Sequence, residues 1–462
     1  MISRSAIARG GRLAFHRRVC AQVAQRGFAS PAAGAPGTTS ASYEPADIAG
    51  IKVASKDAHG PTTKLALVAK AGTRYQPLPG LTVGLEEFAF KNTQKRSALR
   101  ITREAELLGG QLKAYHTREA VILEAAFLRD DLPYFVELLG EVASQTKYTT
   151  HEFHEQVEPI IHHSQDKVSH DALAQAVDGA HAVAFHTGLG SSIYPSSTTP
   201  LSGYLNENSV AAFAESAYIK PNVALVSDGA SQAGLSKWVE RFFKTLPSSS
   251  SSSLSLADAP SKYHGGEQRS VAAGKSAIVI AFPSTSLSAP KSEIAVLEAL
   301  LGGKSSISWS TGFTLLSKAA TDASGVQALA KNYVYSDAGL LTIQISGPAA
   351  SVRKVAEESV KALKAVAQGG VSKEDLTKAI AKAKFDALTV HELTGAGLVA
   401  AGNSVLHGAK LFQAAGAIKS FGSVTADNVK AAAKALVDGK ASVSAIGDLH
   451  VLPYAADLGL NV

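Results

Sequence analysis

The chain has 462 residues, of which 45 are Lys or Arg, 39 are Asp or Glu, and one is cysteine. This length is too great for a single hydrophobic core and predicts two or more domains. The longest apolar runs, such as residues 276–282, have the length of a strand and fall well short of a membrane-spanning helix. We therefore expect any membrane association to come through partners.

The N-terminal segment is basic and lacks acidic residues. Residues 1–43 contain six arginines and no Asp or Glu, among many Ala, Ser and Gly residues. This composition is typical of a mitochondrial transit peptide. We predict a transit peptide over residues 1–28, with cleavage near Phe28, and a flexible leader over residues 29–44. The alternative is a basic tail that stays disordered or binds nucleic acid.

Removal of that segment changes what the charge and the cysteine imply. Its six arginines account for the whole basic excess, so 39 basic and 39 acidic residues remain. The balance gives no support for a nucleic-acid partner or for binding to anionic lipid. Cys20 also lies in the segment, and without it the chain has no thiol. Disulfides, Cys-bound metals and iron–sulfur clusters are thereby excluded.

A helix is predicted after Pro79, where the sequence reads GLTVGLEEFAFKNT over residues 80–93. The segment places two carboxylates, Glu86 and Glu87, side by side. Four short motifs follow it in order, Gly109-Gly110, Ala114-Tyr115, Arg118-Glu119 and Asp130-Asp131-Leu132.

These motifs together resemble the zinc-binding segment of the mitochondrial processing peptidase and pitrilysin family, Gly-x-x-His-x-x-Glu-His-x-x-Phe-Lys-Gly-Thr. In that family two histidines four residues apart and a distant Glu hold zinc, and the intervening Glu takes a proton from the zinc-bound water. The resemblance places Val83 and Glu87 at the two histidine positions. It places Glu86 at the general base, and the third ligand near Ser164.

The same resemblance implies that this site has been lost. Val83 has no lone pair to donate, and the sequence around Ser164 contains no Glu. We therefore predict no metal, no cofactor and no catalysis, with Glu86 left as a relic of the general base. His162 or His163 pairing with Glu86 and Glu87 is the alternative metal site, and a polar helix face is the favoured interpretation of these histidines.

Residues 301–305 imitate the end of a phosphate-binding loop, but no strand precedes them, and we interpret them as an ordinary loop.

The chain is predicted to contain a duplicated domain. Residues 115–127 and 333–345 match in the order of Tyr, acid, Ala and an apolar strand, and residues 223–228 and 443–448 both read as strands that end on Asp. The pattern predicts an α+β fold with two homologous halves, each a sheet covered on one face by helices. A serine-rich linker over residues 246–261 would separate an N-terminal peptidase-like domain (45–245), which carries the degenerate zinc motif, from a C-terminal one (262–462).

Three kinds of protein in this family are candidates for what the chain resembles most. The catalytic subunit of the processing peptidase keeps its histidines. Its non-catalytic, presequence-binding subunit has a long glycine-rich loop, whereas residues 188–190 and 302–303 are short here. The core proteins of the cytochrome b–c complex (respiratory complex III) remain, and the eroded motif favours the less peptidase-like of the two.

This resemblance implies a structural subunit on the matrix side of the mitochondrial inner membrane. It would be bound peripherally in a dimeric complex, through core protein 1 and other subunits of complex III. The presequence-binding subunit of the processing peptidase stays the alternative.

Overall fold

The computed structural model describes residues 42–57, 59–250, 252, 254–303, 310, 312–321 and 323–462. The predicted transit peptide with Cys20, most of the leader, two serines of the linker (Ser251 and Ser253) and residues 304–305 lie outside the described residues.

The first half is built on a six-stranded sheet. Its strands are β1 (Glu44–Ile48), β2 (Ile51–Lys56), β3 (Thr62–Ala69), β4 (Gln111–His116), β5 (Val121–Leu128) and β6 (Val223–Asp228). In space they follow the order β1-β2-β6-β3-β5-β4, with β2 and β6 parallel and the other neighbours antiparallel. The central strands β3 and β6 are nearly continuous apolar runs and are buried on both faces.

The second half is built on a five-stranded sheet. Its strands are β7 (Gly266–Val271), β8 (Ser276–Pro283), β9 (Gln327–Val334), β10 (Gly339–Gly347) and β11 (Ser442–Gly447). They follow the order β7-β11-β8-β10-β9, with β7 and β11 parallel and the other neighbours antiparallel.

The two sheets have the same topology. When β1 is set aside, β2, β6, β3, β5 and β4 correspond one by one to β7, β11, β8, β10 and β9, with the same parallel pair. The predicted α+β fold with two homologous halves is therefore confirmed.

Helices connect the strands of each half. Those of the first half are α1 (Leu81–Glu87), α2 (Ala98–Leu107), α3 (Leu132–Gln145), α4 (Glu158–Ser169), α5 (Ala172–Phe185), α6 (Glu207–Ala217) and α7 (Gln232–Phe242). Those of the second half are α8 (Ser292–Leu301), α9 (Leu315–Ala319), α10 (Ala349–Gln368), α11 (Lys373–Glu392), α12 (Thr394–Leu406), α13 (Ala414–Gly422) and α14 (Ala426–Asp438). Shorter turns are Arg129–Asp131, Thr150–Glu152, Gly188–Gly190, Leu201–Gly203 and Lys220–Asn222, and a π-helical stretch, Phe153–Val157, leads into α4.

One face of each sheet is covered by helices of its own half. In the first half α3 and α7 lie on the sheet, and Phe135 of α3 stacks on Phe127 of β5 with ring centroids 4.2 Å apart. In the second half α10 packs on β8 and β10, with Val352 and Val355 in the core. Burial of these apolar faces is the main stabilising contribution to each half.

The other face of each sheet is covered by a helix from the opposite half. Helix α5 packs on β8 and β11 of the second sheet, and α12 packs on β3 and β6 of the first sheet. Both helices approach closely through a glycine. A Cβ atom at Gly179 of α5 would lie 2.5 Å from the Ser444 hydroxyl oxygen, and one at Gly402 of α12 would lie 2.5 Å from Val68 Cγ2. The sequence predicted helices on one face of each sheet and did not reveal that a helix from the opposite half covers the second face, because an apolar stripe on a helix does not specify which sheet it meets.

The serine-rich segment predicted as a linker contacts the first half. Its described residues follow the first half closely: the Ser252 hydroxyl donates to the Ala212 carbonyl at 2.5 Å, and the Ala257 N–H donates to the Tyr75 carbonyl at 3.0 Å. Leu254 and Leu256 pack against the first core. These two leucines supply the apolar contact that a run of serines by itself lacks.

Candidate functional site

Helix α1 holds the residues that resemble the zinc motif. It begins after Gly80, which adopts a left-handed conformation with φ of 91°, and its first five residues are buried. Val83 is one of them, with 1% of its surface exposed, so its position lies inside the packed first core. Glu86 and Glu87 end the helix and are half-buried.

Glu86 is paired with a histidine that the sequence did not single out. His116, the last residue of β4, directs Nδ1 to the Glu86 carboxylate and Nε2 to the Ile193 carbonyl, the latter at 3.0 Å. Both ring nitrogens therefore face oxygen acceptors, an arrangement that a fully protonated imidazolium satisfies. The carboxylate of Glu86 is thereby held by the His116 ring.

Glu87 and Tyr194 complete this polar cluster. Burial raises the pKa of Glu87, and the adjacent Glu86 carboxylate raises it further. Tyr194 packs edge-on against His116 with ring centroids 5.2 Å apart, and burial beside the two carboxylates raises the pKa of its hydroxyl. The cluster holds two carboxylates, one imidazole and one phenol on the contact between α1 and β4.

Helix α4, which packs against α1, carries the segment expected to supply the third ligand. Ser164 is half-buried on it, whereas the next residue, Gln165, is 5% exposed. The Gln165 amide donates to the Ser196 carbonyl at 2.8 Å, and its oxygen accepts from His162 Nδ1 at 3.0 Å. His162 and His163 are both exposed, and neither contacts Glu86 or Glu87.

The residues present do not fit a zinc ion. The family's site needs two imidazole nitrogens and a carboxylate around one point. Here the first position is a buried aliphatic side chain, and the retained carboxylate Glu86 is bound to His116. Across the described residues, no three His, Cys, Asp or Glu side chains are grouped as metal ligands.

Arg118 and Glu119 have structural partners. Arg118 is buried and donates to Asp178 on α5 and to the Ser191 carbonyl, so it ties α5 and the following loop to the end of β4. Burial raises the pKa of Asp178 even though Arg118 faces it.

Glu119 belongs to a junction between the halves. Its carboxylate accepts from Arg74 Nη1 at 2.8 Å, from the Ser336 N–H at 3.0 Å and from the Ser336 hydroxyl at 2.6 Å. Arg74 reaches further to both carboxylate oxygens of Asp337, at 2.7 and 2.6 Å. Nearby, His181 Nε2 lies 2.8 Å from the Tyr335 hydroxyl. The turn that joins β9 to β10 is thus fastened to the first half by charge-assisted hydrogen bonds.

Partial signals for the residues that were missed are present in the sequence. His116 stands between the Ala-Tyr and Arg-Glu motifs, and Ser336 and Asp337 lie inside the repeat segment that was aligned on Tyr333. Their roles depend on contacts between distant parts of the chain, which the order of the motifs does not reveal. Gln165 could have been found from its neighbours, since it follows Ile161 at helical spacing and shares its buried face.

Two family models match the chain. The model described as insulinase (peptidase family M16) matches residues 52–196, and the model described as the peptidase M16 inactive domain matches residues 204–383.

Curated relatives extend over almost all of the chain. A protein of Neurospora crassa is 65% identical over 462 residues, covering 100% of both chains. A Schizosaccharomyces pombe protein is 36% identical over 90% of this chain and 95% of its own, and a Mus musculus protein is 28% identical over 88% and 90%. All three are called cytochrome b-c1 complex subunit 2, mitochondrial. No helix in the described part of the chain combines the length and apolar character needed to span a bilayer.

Proposed function

Because the chain belongs to peptidase family M16, and within it to the mitochondrial cytochrome b-c1 complex subunit 2 proteins, we propose that it is a non-catalytic structural subunit of that complex (respiratory complex III). The observation that carries the proposal is the 65% identity over the whole length to a protein of that name. Its contribution to electron transfer from ubiquinol to cytochrome c is then assembly and stability of the complex.

The loss of the peptidase site supports this function. Val83, Glu87 and the position near Ser164 stand where the family has its ligands, and Glu86 stands at the general base. The aliphatic side chain of Val83 is enclosed in the core, and His116 takes up the Glu86 carboxylate. A carboxylate with no metal-bound water to deprotonate has no catalytic task.

We infer core protein 1 and other complex III subunits as partners, a dimeric complex, and a peripheral position on the matrix side of the inner membrane. The near balance of basic and acidic residues beyond residue 43 suits protein partners rather than nucleic acid. Obligate subunit interfaces of this kind are large and more apolar than transient ones.

Native electrophoresis of mitochondria that carry the affinity-tagged chain tests the proposal. We expect the tagged chain to migrate with complex III activity. Deletion of the chain should abolish that activity. Purified chain should hold no stoichiometric zinc and should leave a presequence peptide uncut.

The second candidate, a presequence-binding subunit of the processing peptidase, predicts a different result. The tag would then migrate with peptidase activity, and cleavage of a presequence peptide would depend on the chain when the catalytic subunit is added. That outcome would overturn the proposal.

A further inference from the structure

A cavity of about 730 Å³ opens in the second half, between α8, α11 and the edge strand β9. Its walls are mainly apolar. Leu329 of β9 and Val390 of α11 line it and are 48% and 44% exposed, although both are large aliphatic side chains. The volume lies within the range of protein ligand pockets.

One buried carboxylate faces this cavity. Glu298 of α8 lines the wall, and its oxygen accepts from the Asn332 N–H at 3.1 Å, which is its one polar contact in the described part of the chain. Burial raises the pKa of Glu298 to about 7, and the nearby Asp386 carboxylate adds to this, although the Asn332 hydrogen bond and the charges of Lys382 and Lys331 lower it. Lys382, the lysine of α11 that lines the cavity, is instead paired with Asp386 at 2.5 Å.

The duplication offers a comparison for Glu298. In each half a Leu-Glu pair lies in the first helix after the equivalent strand: residues 85–86 in α1 after β3, and residues 297–298 in α8 after β8. In the first half the edge strand β4 supplies His116, which pairs with the carboxylate. In the second half the equivalent edge strand β9 supplies only a backbone N–H from Asn332. The second carboxylate therefore has a hydrogen bond but no salt-bridge partner within the described residues.

We propose that this cavity binds an extended segment of another polypeptide, which places a Lys or Arg side chain against Glu298 and packs apolar neighbours on the walls. The inference rests on the proposed function, in which other subunits surround the chain. Charge complementarity favours this occupant, since a desolvated carboxylate gains most from a cation that also donates hydrogen bonds.

The charges at the rim are compatible with a basic side chain. Asp386 neutralises Lys382, and the Lys331 ammonium lies 4.7 Å from the centre of the Tyr333 ring. His391 stacks on Phe412 at 3.6 Å, and burial lowers its pKa, so it adds no positive charge near neutral pH. The exposed aliphatic side chains of Leu329 and Val390 then contact the residues on either side of the bound cation.

A site-specific cross-link tests the proposal in the assembled complex. A photoreactive phenylalanine analogue replaces Leu329 in the full chain within its own mitochondria, and mass spectrometry identifies the cross-linked segment. We expect a segment of another subunit that contains Lys or Arg between apolar residues. Glu298→Gln should reduce the yield at least about tenfold, because the amide keeps the Asn332 contact but loses the charge. Glu293→Gln, on the same helix but outside the cavity lining, is the matched control and should leave the yield unchanged.

Three outcomes would overturn the inference: no cross-link, a cross-link only to residues 304–311 of the same chain, or a yield that Glu298→Gln leaves unchanged. Native electrophoresis of each variant is run in parallel. If the complex assembles normally in these cases, the proposed function stands and the cavity assignment fails. If the chain is absent from the complex altogether, the proposed function fails, and the inference falls with it.

Discussion

At the scale of single residues, Val83, Glu87 and Ser164 can be tested as former ligand positions by restoring the family's residues. The triple variant Val83→His, Glu87→His and Ser164→Glu should bind about one zinc ion per chain, as two imidazoles and a carboxylate do in related sites. Val83→His alone should lower the free energy of unfolding by about 1–3 kcal/mol, because an imidazole overfills a packed core and needs a hydrogen-bond partner there. Atomic emission after dialysis measures the bound zinc, and urea denaturation measures the free energy of unfolding.

The natural chain serves as the control for zinc content. A second triple variant, with Gln165→Glu in place of Ser164→Glu, tests the register of α4, since Gln165 is the more deeply buried of the two residues. If only this second variant holds zinc, the third position belongs to Gln165, and the assignment of Ser164 is wrong.

The sequence located the carboxylates of this cluster but not their partner. Glu86 could be placed because helix α1 and its motif are local in the chain, whereas the contact with His116 joins residues 30 positions apart. A histidine at the end of a strand has no distinguishing local pattern. The same limit applies to Glu298, whose environment depends on three separate elements of the second half.

At the scale of elements, local patterns predicted type and position well. The strand expected at residues 223–228 is β6 with the same bounds, and Ser372 caps α11 by accepting from the Asp375 N–H at 3.0 Å. Each half contributes one helix to the sheet of the other half, α5 to the second sheet and α12 to the first. This exchange of α5 and α12 could not be predicted, because small residues on a helix are compatible with any close packing partner.

Gly402 tests the exchange of helices directly. Gly402→Ala should lower the free energy of unfolding by about 1–3 kcal/mol, because the added methyl group meets Val68 at 2.5 Å and forces α12 away from the first sheet. Gly395→Ala on the same helix meets no atom within 4 Å. That control should be neutral or stabilising by up to about 1 kcal/mol, since Ala favours a helix over Gly. Equal urea midpoints for the two variants would contradict close packing of α12 on the sheet.

At the scale of the whole molecule, the junction through Arg74 predicts a pH dependence of stability. Burial by itself raises the pKa of Asp337, but the hydrogen bonds from Arg74 and from the Ser261 N–H outweigh it and hold the pKa below its ordinary value. A carboxyl group whose pKa is lower in the folded state stabilises above its unfolded pKa of about 4, and this contribution is lost as the pH falls through the folded value. Asp337→Asn should therefore destabilise at pH 7.

The stability difference between the natural chain and Asp337→Asn should stay constant from about pH 8 to 5 and shrink below about pH 4. Urea denaturation at several pH values measures it. Asp166→Asn, at an exposed position of α4, is the control and should change stability little at any of these pH values. A difference for Asp337→Asn that grew on acidification would contradict the ion pair with Arg74.

Separation of the halves should expose the faces that the exchanged helices cover. A fragment of residues 42–261 lacks α12 and leaves Ala66, Val68 and Val226 without their covering helix. We expect it to bind a hydrophobic dye and to aggregate, because a contiguous apolar face of this kind is seldom stable in water. Adding a fragment of residues 262–462 during refolding should suppress both effects. A monomeric 42–261 fragment with cooperative unfolding would show that the first half needs no helix from the second.

The exchange of α5 and α12 also sets the order in which the parts of the fold can form when the chain becomes available from its N-terminus, during synthesis or import. The first sheet can form once β6 has appeared, yet its second face stays uncovered until residue 406 follows, and α5 waits meanwhile for a sheet that begins at residue 266. During that interval both apolar surfaces are accessible to chaperones and to other unfinished chains. Folding of this protein is therefore expected to complete late and in one concerted step, after nearly the whole polypeptide is available.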